Sequence, residues 1–395
     1  MPLTNDQSAA LKKMVATPES ASFILKGYAG TGKTYLLHSF LNEVTGIRDR
    51  VVITATTHKA LGIAAGDFTI HSYLGLKLTR KFGRKKLETS GKHKIEDFDT
   101  VIVDECSMLN KDVLGYLLEA QRDYNLTLIF IGDPAQIPPV NETISEVFNL
   151  PCDSFTLTEI VRQAADNPII KLATAIREGR ATRKFIKDCA DDKHIIIGNG
   201  LKAKEFFAAN YSEESFPQII SFRNSIVDGF NNWARKEVKN SPKNLYIAGE
   251  PVYIRSTHQK AKFRLEDFVT IEEILKVDRF KFPGTTAITI ATATLSGVGK
   301  FDTLLLPFSN RDISQFKSNC SALATRARTQ PQLWKDFWNY TDAITIVKHI
   351  YAMTAHRSQG STFKDVIVNY PDICQNNNLL YTSVTRASDR VFMII

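Results

Sequence analysis

"GYAGTGKT" occupies residues 27–34, between the apolar run "SFILKG" and a helical pattern that opens at Thr31. Glycines at 27, 30 and 32 let the backbone curl around phosphate oxygens, and the helix that follows turns its unpaired N–H groups toward the anion. In the pattern G-x-x-x-x-G-K-T, Lys33 reaches the β- and γ-phosphates and Thr34 offers its hydroxyl to Mg²⁺. A strand before the loop and a helix after it are the context such a loop requires. An accidental glycine turn is the alternative. Many proteins bind nucleotides this way, so the loop sets the fold class and leaves the task open.

Working outward, the first third alternates buried-strand runs with helical patterns: "SFILKG", "RVVITAT", "TVIVDE" and "LTLIFIGD". Continuous aliphatic and β-branched runs separated by helices predict a parallel sheet covered on both faces. The same texture returns in "FPQIISFRN", "AITIVKHIYAMT", "DVIVNY" and "DRVFMII". Between residues 247 and 310 the segments become closely spaced and alternating, as in "EPVYIRS" and "TAITIATATLS", which predicts a small antiparallel barrel inserted into a second α/β unit. A helical stretch, "RDISQFKSNCSALATRARTQPQLWKDFWNY", leads back.

The 395 residues exceed one ordinary core, given about 150 residues per domain as the prior. With 43% hydrophobic and 23% charged residues, the composition argues against a disordered chain. The net charge of +8 favours polyanionic partners without deciding for them. Five cysteines stand singly, without metal or redox spacing, and read as free thiols of a reducing compartment. No apolar run approaches the roughly 20 residues of a membrane span, so the expectation is a soluble, intracellular (cytoplasmic) protein.

The run "TVIVDECSM" ends a buried strand on two acids. Asp104 at the strand tip would hold Mg²⁺, and Glu105 is placed to orient or deprotonate the water that attacks a γ-phosphate. Two acids that merely solvate a strand end are the alternative.

The blocks "GYAGTGKT", "TATTHKAL", "TIHSYLGL", "VIVDECSM", "GDPAQIPPV", "LTEIVRQ", "MTAHRSQGSTF" and "LLYTSVTRA" run in this order from Gly27 to Ala387. In that order the chain resembles superfamily 1B DNA helicases, closest to the Dda-type bacteriophage enzymes and related to RecD-like and Pif1-like ones. The stretch from about 240 to 340 carries the resemblance only by position and length.

The resemblance implies a fold of two RecA-like P-loop domains with parallel sheets, a small hairpin inserted in the first and an SH3-like β-barrel in the second. Its implied boundaries are 1–165 for the first motor domain with 77–95 as a pin, 166–246 and 343–395 for the second, and 247–342 for the barrel with its helical part. It implies that Gln7 recognises adenine, although a solvent-exposed helix residue is the plainer reading. Gly27, Gly30, Thr31, Gly32, Lys33 and Thr34 would bind the phosphates of ATP, with Gln359 and Gly360 nearby. Gln136 resembles the γ-phosphate sensor. Arg162 and Arg386 resemble the arginines that place positive charge on the γ-phosphate, where phosphoryl transfer builds negative charge.

Thr56, Thr57, His58, Thr69, His71, Ser72, Thr354, His356 and Arg357 fall in blocks that grip the sugar-phosphate chain, which suits sequence-independent stepping. Tyr73, Phe222 and Trp233 are candidate base platforms, and the segment "SFRNSIVDGFNNWAR" favours Phe222, Arg223 and Asn224. Residues 77–94 hold eight Lys or Arg and one acid. Strands "KLT" and "KKLET" about a turn near Phe82 and Gly83 would make a strand-splitting pin with Phe82 at its tip, or else a duplex contact or a solvated loop.

Taken together, the resemblance implies an ATP- and Mg²⁺-dependent helicase moving 5′ to 3′ on single-stranded DNA and opening forked duplex DNA. It would act as a monomer, in an infected bacterial host by analogy, with replication or recombination proteins as further partners and no membrane. An RNA helicase of the same superfamily, and a DNA-stimulated ATPase that displaces proteins without unwinding, remain open. A P-loop kinase or transporter predicts no ATPase response to DNA.

Overall fold

The computed structural model describes residues 2–44, 50–56, 66–81, 84–89, 91, 93–161, 167–239, 244–256, 261–263, 265–297 and 299–395. The first sheet has six strands in the order Phe68–Thr69, Val51–Ala55, Thr100–Asp104, Thr127–Gly132, Ser22–Gly27, Asp153–Leu157. Its printed pairs are all parallel. The central strands are apolar on both faces because helices cover both, and Thr127–Gly132 is buried throughout. One face packs Leu36, Leu37 and Phe40 with Ile129 and Ile131, and the other packs Leu114, Leu117, Phe130 and Phe148.

Parallel strands end together, so the loops after Gly27, Asp104 and Gly132 emerge at one edge. That edge is where ligands bind in sheets of this kind.

A second sheet has five strands in the order Ala352–Thr354, Gln218–Ser221, Phe363–Asn369, Ala387–Ile394, Ile195–Gly198, and the last three are parallel. A third, antiparallel sheet of five strands runs Lys300–Pro307, Ile288–Gly297, Phe268–Phe280, Glu250–Ser256, Ile346–His349. The run "AITIVKHIYAMT", expected whole on a parallel sheet, is therefore divided. Ile346–His349 pairs antiparallel with Glu250–Ser256, and only Ala352–Thr354 joins the second sheet.

Leu76–Lys81 and Arg84–Thr89 pair antiparallel, from Leu76 opposite Thr89 to Lys81 opposite Arg84, which gives the two strands expected of the insertion. Phe82 and Gly83 lie outside the described residues.

Contacts group the chain into two compact units, Met1–Ala203 with Ile220–Arg223 and Thr354–Ile395, and Lys204–Ile219 with Asn224–Met353. Within the second unit, Val252, Ile254, Ile271, Leu295 and Leu306 fill the antiparallel sheet's core. The helices Asn310–Thr329 and Trp334–Ala343 meet over buried Tyr340, whose Oη accepts from Asn319 Nδ2 at 2.7 Å. Buried Glu250 holds the Arg235 guanidinium and lies 3.3 Å from His349 Nε2. Among the described residues no helix is long and apolar enough to cross a membrane.

Candidate nucleotide and nucleic-acid site

The loop between Ser22–Gly27 and the helix Lys33–Val44 turns at Gly30 and Gly32, with φ of 83° and 75°. Those values lie in the left-handed region that glycine tolerates. Gly32 is doubly constrained, because a Cβ there would stand 2.5 Å from Gln7 Nε2. Lys33 Nζ donates to the carbonyls of Gly27 at 2.7 Å and Tyr28 at 3.3 Å, so the ammonium is folded onto its own loop. Thr31 is buried and donates to the Tyr28 carbonyl, whereas Thr34 is exposed at the first turn of the helix.

Gln7 is buried, and both ends of its amide are engaged. Its Oε1 accepts from Thr4 N in a capping box and its Nε2 donates to the Thr31 carbonyl at 3.0 Å, so it braces the phosphate loop from outside. The solvent-exposed reading of Gln7 does not hold, since its exposure is 2%.

Glu105 follows the strand tip in the left-handed region, at φ 51°, an uncommon conformation for a residue with a side chain. Its Oε2 is buried without a hydrogen-bond partner among the described residues. Asp104 Oδ1 accepts from Glu105 N at 2.9 Å, and burial together with the neighbouring Glu105 charge pushes the Asp104 carboxyl up to about 7. The charge of Lys33 opposes that shift without cancelling it, so the pair of acids favours a further cation. Hard oxygen donors, Asp104 here and the Thr34 hydroxyl, are the set a Mg²⁺ ion takes.

The loop after Gly132 carries Asp133 and Gln136, both buried, and Gln136 Oε1 has no hydrogen-bond partner among the described residues. This loop and the phosphate loop are tied to the late helix Asn377–Val384. Tyr381 Oη accepts from Ala29 N at 2.9 Å and donates to Asp133 Oδ2 at 2.7 Å. Asn378 Nδ2 donates to the carbonyls of Ala135 and Gln136, and Thr382 Oγ1 accepts from Ile137 N at 3.2 Å. Gln359 Nε2 donates to the Ile137 carbonyl at 3.0 Å, and Gly360 turns the chain at φ 66°.

Two residues beyond this helix lies Arg386, 7% exposed. Its Nε donates to the Thr382 carbonyl at 3.0 Å and its Nη1 to the Ser361 carbonyl at 3.2 Å. Burial lowers its pKa, while the charges of Glu105 and Asp133 oppose that shift. Lys33, Glu105, Gln136 and Arg386 thus belong to one compact unit, although they are far apart in sequence. Arg177 rests over the Tyr28 ring at 3.7 Å and supports the same loop from its side.

Among the residues assigned to nucleic acid, Thr56 follows the Val51–Ala55 strand and its Oγ1 is buried without a partner. Thr69 accepts from Ser72 N at 3.2 Å and so caps the short helix Ile70–Tyr73, which holds His71 and exposed Ser72. Thr354 accepts from Arg357 N at 3.4 Å and caps Ala355–Ser358, which holds exposed His356. Burial lowers the pKa of both His71 and His356.

Phe222 is 43% exposed, and its ring lies 6.0 Å from that of His356. Exposed Arg223 follows it, and Asn224 opens the helix Asn224–Val238. Tyr73 is no platform, because its ring is wholly buried against Phe98 in the core. Trp233 packs edge-on against Phe207 with Lys204 over its face. Thr57, His58 and Arg162 lie outside the described residues.

Sequence reasoning missed Asp133, Asn378, Tyr381 and Thr382 as site residues. Asp133, Tyr381 and Thr382 stood inside quoted blocks, and a buried tyrosine hydroxyl requiring a partner was the available signal.

Comparison with known proteins agrees with this geometry. An AAA domain model matches residues 2–200, half of the chain, and a UvrD-like helicase C-terminal domain model matches residues 349–394. An uncharacterized protein of Acanthamoeba polyphaga mimivirus is 25% identical over 94% of this chain and 95% of its own. The ATP-dependent DNA helicase dda of Enterobacteria phage T4 is 26% identical over 94% of this chain and 93% of its own. The fold is similar to that of Pif1 helicase from Bacteroides in complex with ADP-AlF3 and ssDNA, with a TM-score of 0.58 at 16% identity, over 100% of this chain and 92% of that one. With the phosphate loop, the paired acids and the late arginine gathered in one unit, and both family models covering them, the chain belongs to the AAA domain family and is a superfamily 1B helicase of the Dda, Pif1 and RecD type.

Proposed function

We propose that the protein is an ATP-dependent DNA helicase that moves 5′ to 3′ along single-stranded DNA and opens forked duplexes. ATP is hydrolysed between two motor halves, 1–165 and 166–246 with 343–395. Residues 77–95 act as the strand-splitting insertion, and 247–342 form an SH3-like barrel with a helical part. One observation carries the reading. Two buried side-chain oxygens without partners among the described residues, Glu105 Oε2 and Gln136 Oε1, belong to the same unit as the phosphate loop and the buried Arg386 guanidinium. Buried polar atoms are nearly always paired, so such orphans mark the place of a ligand.

Each role follows from local chemistry. Lys33 exchanges two neutral carbonyls for phosphate oxygens, a stronger, charge-assisted pairing. Glu105 accepts the proton of the attacking water at its free Oε2. Thr34 and Asp104 would hold Mg²⁺, which when bound supplies positive charge to the phosphates. Arg386 and Arg162 stabilise the charge that builds on the γ-phosphoryl group, an effect of about 10³ or more in rate. Gln136, attached through its loop to the Asn377–Val384 helix, senses the γ-phosphate, and Gln7 fixes the loop that the adenine approaches.

The choice of DNA rests on the similarity to the phage helicase, and the direction on family membership. Thr56, Thr57, His58, Thr69, His71, Ser72, Phe82, Phe222, Arg223, Asn224, Thr354 and His356 form the track. Partial duplexes carrying only a 5′ or only a 3′ single-stranded tail, with Lys33→Ala as control, test activity and direction together. Opening of the 3′-tailed duplex alone overturns the direction. ATPase stimulated by single-stranded DNA without opening of either duplex favours a protein-displacing motor, and stronger stimulation by RNA favours an RNA helicase.

A further inference from the structure

Asp372 stands three residues beyond the strand Phe363–Asn369, in a stretch to which the site above gives no role. Its side chain is 3% exposed, yet it faces a turn that is open to solvent. One carboxylate oxygen, Oδ2, accepts from Ser221 Oγ at 2.6 Å, Phe222 N at 2.7 Å and Arg223 N at 2.9 Å. The other, Oδ1, accepts from Arg223 Nε at 2.5 Å. Asn369 Nδ2 donates to Ser221 Oγ at 3.0 Å and fixes that hydroxyl's remaining direction. Burial alone would raise the Asp372 pKa, yet the donors from Ser221, Arg223 and Phe222 hold it down to about 2. The carboxylate is therefore charged at any working pH.

Four hydrogen bonds to one buried carboxylate over-determine the three-residue turn Ser221–Arg223. What the turn displays is an apolar ring: Phe222 is 43% exposed, and nothing in its own core requires it there. The ring meets His356 at 6.0 Å and 33° between planes. The lowered pKa of His356 keeps the imidazole neutral, so the pair offers two π-faces without a fixed charge. The Arg223 side chain, next in the chain and 64% exposed, supplies the cation that a phosphate beside a stacked base would meet. A rigid aromatic face with an adjacent cation is the chemistry by which proteins hold unpaired nucleobases without reading sequence.

We propose that Asp372 is the positioning residue of a base-stacking site, clamping the Ser221–Arg223 turn so that Phe222 stands beside His356 as the platform for one unpaired nucleobase. The proposal rests on the nucleic-acid reading above and adds to it the residue that makes the platform rigid. In a merely structural role, Asp372 would stabilise the turn without affecting any base.

The test uses the full chain and a single-stranded DNA oligonucleotide carrying 2-aminopurine, whose fluorescence falls when the base stacks. Phe222→Ala, a change at an exposed position, is expected to weaken binding about tenfold, within the range one stacked base contributes, and to lessen the quench. Asp372→Asn keeps the volume but loses the pairing with Arg223. It is expected to lose a similar factor in affinity and the same part of the quench, and to cost little more when Phe222 is already alanine. Circular dichroism and binding of a fluorescent ADP analogue verify the fold of each variant. If Asp372→Asn does not fold, Ser221→Ala takes its place, with a partial loss of quench expected.

Wild-type quench and affinity in Phe222→Ala overturn the platform. An Asp372→Asn loss that is undiminished in the Phe222→Ala background, or an unchanged quench in the Asp372 or Ser221 variant, overturns the positioning role. A wild-type protein that binds no oligonucleotide overturns the helicase reading along with this one, which separates that failure from the others.

Discussion

Tyr381→Phe removes one oxygen from the candidate nucleotide site and leaves the ring in place. The hydroxyl is 2.7 Å from Asp133 Oδ2 and 2.9 Å from Ala29 N, with Tyr381 1% and Asp133 0% exposed. A hydrogen bond to a charged group contributes about 1.5–3 kcal/mol, and the neutral one from the half-buried Ala29 about 0.5–1.5 kcal/mol. Asp133 keeps its bond from Ala135 N at 2.9 Å, so it is not stripped of every donor. The expected loss is about 2–4 kcal/mol, read from urea denaturation. Activity should fall as well, because the helix that carries Tyr381 delivers Arg386 one turn later, with Arg386 Nε on the Thr382 carbonyl. We expect kcat for ATP to fall about tenfold, with KM within about threefold, since the arginine acts on charge developed after binding. A double-mutant cycle with Asp133→Asn should return a coupling above about 1 kcal/mol. A stability change below about 0.5 kcal/mol, or additive effects of the two substitutions, would refute the assignment of this hydroxyl as the tie between the phosphate loop and the arginine.

Arg386→Ala should reduce oligonucleotide-stimulated ATPase by about 10³ or more, and Arg386→Lys should not restore it, because an ammonium lacks the planar fork; steady-state phosphate release measures both. Glu250→Gln leaves the buried Arg235 guanidinium without its carboxylate and should destabilise by about 3–5 kcal/mol in chemical denaturation, with His349 losing its partner as well. The Asp372 carboxyl is depressed from its ordinary 3.8 to about 2, so its contribution to stability is complete above pH 4 and fades as pH falls toward 2. Thermal melting across that window should therefore be steeper in wild-type protein than in Asp372→Asn, and parallel curves would contradict the network.

The first sheet was legible because its central strands must be apolar on both faces and end at a loop that can do chemistry. "VIV" before Asp104 and "LIFIG" before Asp133 admit few other readings. The hairpin was legible from turn residues between alternating strands. The pairing of "AITIVKHIYAMT" was not, because a β-branched run looks the same whether its neighbour is parallel or antiparallel. The partner of Ile346–His349 lies about a hundred residues earlier, at Glu250–Ser256. Tyr381 escaped for a related reason: in "NNLLYTSV" it occupies a core-like helical position, and only the approach of Ala29 and Asp133 from remote parts of the chain gives its hydroxyl a purpose. Gln7 was legible as a residue and not as a contact, since the capping box that buries it is local but the carbonyl it braces is not.

The sequence contains no repeat, yet the structure contains one that is three residues long. Thr69-Ile70-His71 and Thr354-Ala355-His356 each leave the edge strand of a sheet, Phe68–Thr69 in the first and Ala352–Thr354 in the second. In each the threonine accepts from the backbone N–H three residues on, and the histidine takes the second position of a four-residue helix. Burial lowers the pKa of both histidines, so each is held neutral. A neutral imidazole can donate to or accept from a sugar-phosphate chain without the salt-dependent attraction of a permanent cation. A motor must hold its strand at two points and release one at a time. In the proposed motor, two capped, uncharged contacts on the edge strands of the two sheets would meet that need better than lysines, because a grip of modest strength costs little to break. In the proposed motor, the excess of 50 Lys and Arg over 42 acids would provide the long-range attraction to nucleic acid, and these histidines the part of the hold given up at every step.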